Sequence, residues 1–174
     1  MKKIQTFLFL GLLFAAIGLQ SCSKENEEVE DPIPTAMLIN KVSVSNTPSY
    51  NYYENRDWDT NFSDADMYFL LAYTDGNGNI GTVIYNGAND YVEDVAPGGG
   101  ITLTLNNPLR IDLNGSLDFA IGLFDYDDFG EDELMDTPVD LIDISSYKVA
   151  NPPSTINIEG TDGSRFQLEV EYSY

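Results

Sequence analysis

The sequence predicts an all-β fold, an antiparallel sandwich or barrel of eight or nine short strands. Three observations predict it. From Ala36 to Tyr174 apolar residues recur at alternate positions, no stretch sustains a 3.6-residue period, and the alternating runs are short and divided by Gly, Asn, Asp and Pro clusters. Period two marks strands with one buried face, and turn residues at close intervals mark antiparallel neighbours.

The elements follow in order. Met37 to Val44 (MLINKVSV) alternates, and Met67 to Tyr73 (MYFLLAY) is a denser apolar strand. Asp75-Gly76-Asn77-Gly78-Asn79 supplies turn chemistry between that strand and Ile80 to Tyr85, which reads as a hairpin. After Gly98-Gly99-Gly100 come Ile101 to Leu105 and Leu109 to Leu113. Leu117 to Phe124 reads as a buried strand and Val139 to Ile144 (VDLIDI) as an alternating one. Thr155 to Ile158 is short, and Phe166 to Tyr174 (FQLEVEYSY) closes the chain with strict alternation. No internal repeat is visible.

Ahead of the strands the chain is organised differently. Lys2 and Lys3 precede an apolar run from Phe7 to Leu19, shorter than the ~20 residues a membrane-spanning helix needs. A positive start, a short apolar core and a small residue before the cut describe a removable export signal. The run ends in Leu19-Gln20-Ser21-Cys22, which resembles the lipobox of bacterial lipoproteins, with Gln20 its unusual occupant. The resemblance implies cleavage before Cys22 and acyl chains on that residue; an ordinary signal peptide with an incidental cysteine is the alternative. Residues 1–21 are then the signal peptide, 22–34 the lipidated cysteine with its tether, and 35–174 the sandwich domain. The tether (SKENEEVEDPIP) carries five acids and little that can be buried, so it cannot fold alone. An acidic run just after a lipidated cysteine also resembles the surface-export signal of Bacteroidetes lipoproteins. It implies an outer-membrane lipoprotein displayed on the cell surface, with a periplasm-facing orientation as the alternative.

Composition excludes whole classes of function. The chain has no histidine and one cysteine, so Ser-His-Asp and Cys-His catalysis are absent, as are zinc or copper sites built from His and Cys. Removing residues 1–21 takes away two lysines and no acids, moving the net charge from −21 to −23. Such a chain lacks the clustered Lys and Arg that nucleic acid or unaided docking on anionic lipid requires. Carboxylate chemistry remains, and 18 Asp against 11 Glu suits hard, oxygen-preferring cations. A paired-carboxylate glycosidase is the one hydrolase type left, and no motif points to it, so no enzyme is expected.

The acids gather in two loops. Asp57, Asp59, Asp64 and Asp66 stand immediately before a strand, and Asp125, Asp127, Asp128, Glu131, Asp132, Glu133 and Asp136 directly follow one. Carboxylates at that density repel one another unless something positive lies among them, and Arg56 is the only cation adjoining either loop. Calcium, with about 6–8 oxygen ligands in flexible geometry, is the natural neutraliser. Ordinary solvated surface charge is the alternative.

Here the chain resembles the C2 domain, a calcium- and phospholipid-binding β-sandwich family. That family's third loop follows an apolar strand as Asp-x-Asp, five residues, then an acid and an aliphatic pair. Asp125, Asp127 and Glu133 fall on those acids, with Leu134 and Met135 after them. Ala65-Asp66-Met67-Tyr68-Phe69 resembles the close of its first loop, with Asp59 as the earlier acid, and Gly163 through Tyr172 resembles its last strand. The chain departs from the pattern at Met67, at Asp136 in place of Gly, and by one extra residue between the first-loop acids. The resemblance implies an all-β, antiparallel eight-stranded β-sandwich of C2-like build, with a Ca2+ site at Asp59, Asp66, Asp125, Asp127 and Glu133.

Three weaker signals remain. Asp75 to Asn79 looks like the start of an EF-hand loop, but Asn86 stands where its closing Glu belongs, which favours the hairpin. Tyr50, Tyr52, Tyr53 and Trp58 either grip a sugar or pack the interior, and packing is the commoner use. Phe129 either projects from the second acidic loop or folds back beneath it. The function expected is a surface-anchored lipoprotein with a calcium-binding C2-like module for interaction or adhesion, its partner a protein, glycan or lipid. A carbohydrate-binding sandwich is the alternative.

Overall fold

A computed structural model describes residues 30–51, 55–56, 58, 64–75, 77, 79–115, 117–127 and 131–174. Cys22, the export signal, most of the tether, Tyr52, Tyr53, Asp59 and Phe129 lie outside these residues. Within residues Asp31–Tyr174 there are nine strands and no α-helix among the described residues. They are β1 (Ala36–Ser45), β2 (Ala65–Thr74), β3 (Ile80–Asn86), β4 (Val92–Val95), β5 (Gly100–Asp112), β6 (Phe119–Asp125), β7 (Glu133–Asp136), β8 (Thr155–Glu159) and β9 (Arg165–Ser173).

Two antiparallel sheets form. The first has the order β5-β1-β9-β8; the second runs β3-β2-β6-β7, with β4 also on β2. One buried cluster joins them: Met37, Ile39, Val42, Val44, Phe166, Leu168 and Val170 from the first sheet meet Met67, Phe69, Leu71, Phe119, Ile121, Leu123 and Met135 from the second. The architecture is therefore a two-layer sandwich, one of the two forms the period-two pattern allows, with one strand more than the eight implied by the C2 resemblance.

Strand β1 shows how the pattern is satisfied. Strict alternation from Met37 would turn Lys41 and Ser43 inward. Instead Asn40 forms a bulge against β9, whose Val170 and Glu169 pair with Ile39 and Lys41. The extra residue reverses the parity, so Met37 and Ile39 and then Val42 and Val44 all reach the core, while Lys41 pairs outside with Glu169. On its other side β1 meets β5 at Leu109 and next at Thr104, so 105–108 loop out and split the β5 pairing in two.

Other segments depart from the sequence expectation. Val139 to Ile144 is not a strand: isolated bridges stand just before it at Pro138–Gly160 and within it at Phe119–Ile142, and a 3-10 turn follows over Ile144–Tyr147. Asp143 caps that turn, accepting from the Ser145 N–H at 2.8 Å and the Ser146 hydroxyl at 2.9 Å, an outlet for its carboxylate that a strand lacks. Two short strands, β4 and β7, arise where acids had hidden them. Leu117 falls before β6 and is exposed.

Candidate functional site

The register of the second sheet gathers the acidic loops. Met67 on β2 pairs with Asp125 on β6, and Asp125 pairs with Glu133 on β7, so Asp66, Asp125 and Glu133 share one end of three adjacent strands. Two hydrogen bonds stitch the loops there. The Asp66 N–H donates to Asp125 Oδ1 at 2.9 Å, and the Tyr126 N–H donates to the Asp66 carbonyl at 2.7 Å. Asp125 is buried, with 2% of its surface exposed. Asp66 Oδ1 accepts from the Asp94 N–H at 2.8 Å, which draws β4 to the same end.

Glu133 is held by a cation of the chain itself. Arg56 Nη2 donates to its Oε1 at 2.7 Å and Asn51 Nδ2 to its Oε2 at 2.8 Å. Asn51 and Arg56 are joined by paired backbone bonds of 2.9 and 3.3 Å, so the first loop folds back to present both donors. Asp132 is a member that the motif comparison passed over. It accepts from the Tyr68 hydroxyl at 2.8 Å and from the Asp127 N–H at 3.3 Å. Burial, then the Asp132 carboxylate, push the Tyr68 phenol well above its ordinary value, so it remains a proton donor. Tyr126 stacks on Tyr91 with ring centroids 4.4 Å apart.

Four of the five expected ligands are thus placed. Asp66, Asp125 and Glu133 are brought together, Asp127 adjoins them through Asp132, and Asp59 lies outside the described residues. The donor chemistry is all oxygen, as calcium prefers, but among the described residues no three carboxylates are arranged as a metal-holding group. Glu133 in particular is neutralised by Arg56.

The weaker motifs resolve differently. Asp75 accepts from the Asn77 and Asn79 N–H groups at 2.8 and 2.9 Å, and its own N–H donates to the Asn79 carbonyl, which makes a hairpin turn. The Asn79 side chain, then its N–H, hold the Asp75 carboxyl below the usual range. Trp58 is buried in the core, where it cannot stack on a sugar.

No family model matches the chain, and no curated protein matches it. Among solved structures, a C2 domain protein from Ramazzottius varieornatus is similar at 14% identity with a TM-score of 0.43, covering 82% of this chain and 91% of that one. The two-sheet description stands on strand order and register.

Proposed function

We propose that this chain is a lipid-anchored interaction module of a bacterial envelope, C2-like in build and without enzymatic activity, whose acidic end takes up calcium. The observation that carries the calcium assignment is the meeting of Asp66 and Asp125 across β2 and β6, which puts two acid-rich loops at one place. Asp66, Asp125 and Asp127 are the ligands this arrangement favours, and Asp59, outside the described residues, is a fourth that the C2 resemblance implies. Glu133 serves instead as the partner of Arg56. A cation among like charges relieves their repulsion, and binding to the folded state alone stabilises it by about 2.7 kcal/mol at a hundredfold excess over Kd. The purified chain should therefore melt higher in calcium than in chelator at matched ionic strength. Coincident melting curves would remove the metal from the proposal and leave the interaction module.

The anchor rests on the lipobox-like residues ending in Cys22. In the cell, Cys22→Ser should abolish incorporation of labelled fatty acid and release the protein from the membrane fraction. Unchanged labelling and fractionation contradict the anchor. A glycan is the second reading of the partner, favoured by a shallow depression of about 760 Å³ over the first sheet, lined by Ser43, Thr102, Asn157 and Gln167.

A further inference from the structure

The two outer faces of the sandwich differ in kind. On the first sheet three successive rungs cross all four strands: Thr104-Lys41-Glu169-Thr155, Thr102-Ser43-Gln167-Asn157 and Gly100-Ser45-Arg165-Glu159. No apolar side chain stands in them, and they satisfy one another: Thr102 donates to Ser43 at 3.2 Å and Gln167 to Asn157 at 3.0 Å. That is how a solvated sheet face is built.

The second sheet has an apolar outer face. Its rungs are Tyr68-Phe124-Leu134, Asn86-Leu70-Gly122 and Val83-Ala72-Ala120, with Ile80 beside Thr74 beyond them. The Phe119–Ile142 bridge turns Ile142 inward and leaves Leu141 outward to extend the face past β6. Tyr68 and Phe124 stack at 5.3 Å with their rings 18° apart. Ile80 (61%), Val83 (48%), Leu134 (44%) and Leu141 (42%) are open to solvent. Tyr68, Ala72 and Thr74 in the middle of the face are buried, so its open apolar surface is the exposed Ile80, Val83, Leu134 and Leu141 with the half-buried Leu70 and Phe124 between them. Several large apolar side chains left open on one sheet face mark a place where something binds.

Charge identifies the occupant. Asp75 and Asp118 stand at one end of this face, Glu131 and Asp132 at the other, and Asp140 beside Leu141. Of the five Lys and Arg among the described residues, Lys41, Arg110 and Arg165 belong to the opposite sheet, Arg56 holds Glu133, and Lys148 donates to Asn114. A second copy would bring −21 against −21, and an anionic bilayer would be repelled as well. We propose that the outer face of the β3-β2-β6-β7 sheet docks a cationic amphipathic helix of a partner protein, its apolar stripe on Val83, Phe124, Leu134 and Leu141 and its basic flanks on the surrounding acids. Strands about 4.8 Å apart and ~3.3 Å per residue along β2 give a face ~20 Å long, which a helix of about 14 residues covers. This deepens the interaction-module proposal and does not depend on calcium.

The test uses the full Cys22→Ser chain, which carries no lipid, and an amidated Leu/Lys peptide of about 14 residues patterned as an amphipathic helix. At about 0.15 M salt, where long-range attraction is screened, the patterned peptide should bind and shift the amide signals of Val83, Leu134 and Leu141. Val83→Ser with Leu134→Ser should weaken it about tenfold or more, while Thr155→Ser on the opposite sheet leaves it unchanged. Equal binding by a scrambled peptide of the same composition, signal shifts on the first sheet, or no binding would each overturn the proposal. So would a dimer abolished by Leu134→Ser, or pelleting with phosphatidylethanolamine–phosphatidylglycerol vesicles in place of peptide binding; these make a second copy or the membrane the occupant.

Discussion

Asp136 and the cluster around Asp125 show two ways of keeping carboxylates in the same small sandwich. Asp136 is buried at the end of β7 and is answered by dipoles alone. Its Oδ1 accepts from the Thr137 N–H at 2.7 Å, the Thr161 hydroxyl at 2.9 Å and the Asp162 N–H at 3.0 Å, and its Oδ2 from the Ser164 N–H at 3.0 Å. Three of the four donors, on Thr161, Asp162 and Ser164, belong to the β8–β9 turn, so one carboxylate ties the second sheet to the first. Gly160 is part of the fit, because a Cβ there would stand 2.3 Å from Asp136 Oδ2. At the other site Asp66, Asp125, Asp127, Asp132 and Glu133 crowd one strand end with Arg56 as the cation in contact. A single carboxylate needs only oriented N–H and O–H groups, whereas mutual repulsion among several needs positive charge. The first arrangement is complete; the second is the one for which a bound cation is proposed.

The sharpest way to break this contrast is at Asp136. Asp136→Ala strands four donors at once, the buried Ser164 N–H and three part-buried ones, and a buried donor costs about 1–3 kcal/mol when unpaired. The loss of stability in denaturant unfolding should be large, and of equal size with calcium and with chelator. A change below about 0.5 kcal/mol, as at an ordinary surface site, would mean that the turn does not depend on this carboxylate.

How much of this was legible in the sequence follows from the range of the interactions. Period two made the antiparallel strands legible and left sandwich or barrel open, because the alternation in Phe166 to Tyr174 and Met67 to Tyr73 is a local property of the chain. The bulge at Asn40 is visible only with β9 alongside. Strand β7 was hidden because Glu133 to Asp136 reads as loop by its charge; its order comes from β6 and from the distant β8–β9 turn. Asp136, which looked like a departure from the C2 pattern, is the acceptor for that turn. Val139 to Ile144 alternates but is diverted by the Asp143 cap. The acidic loops were found by density of charge alone. The Arg56–Glu133 pair, 77 residues apart in sequence, and the Tyr68–Asp132 bond, 64 apart, are products of strand register that no local motif encodes.

The smallest expected effects carry the most direct test of the central claim, that the strand-end acids form a cation site and the late-turn acids do not. Asp127→Asn removes repulsion from the metal-free cluster and also removes a charged ligand. Asp162→Asn alters a side chain whose residue serves Asp136 through its backbone N–H alone. Melting of the two variants and the parent should be compared in calcium and in chelator. Asp127→Asn should melt slightly above the parent in chelator and below it in calcium, with Asp162→Asn tracking the parent in both. If the two variants shift alike in both buffers, the strand-end acids are ordinary surface charge and the calcium site does not exist.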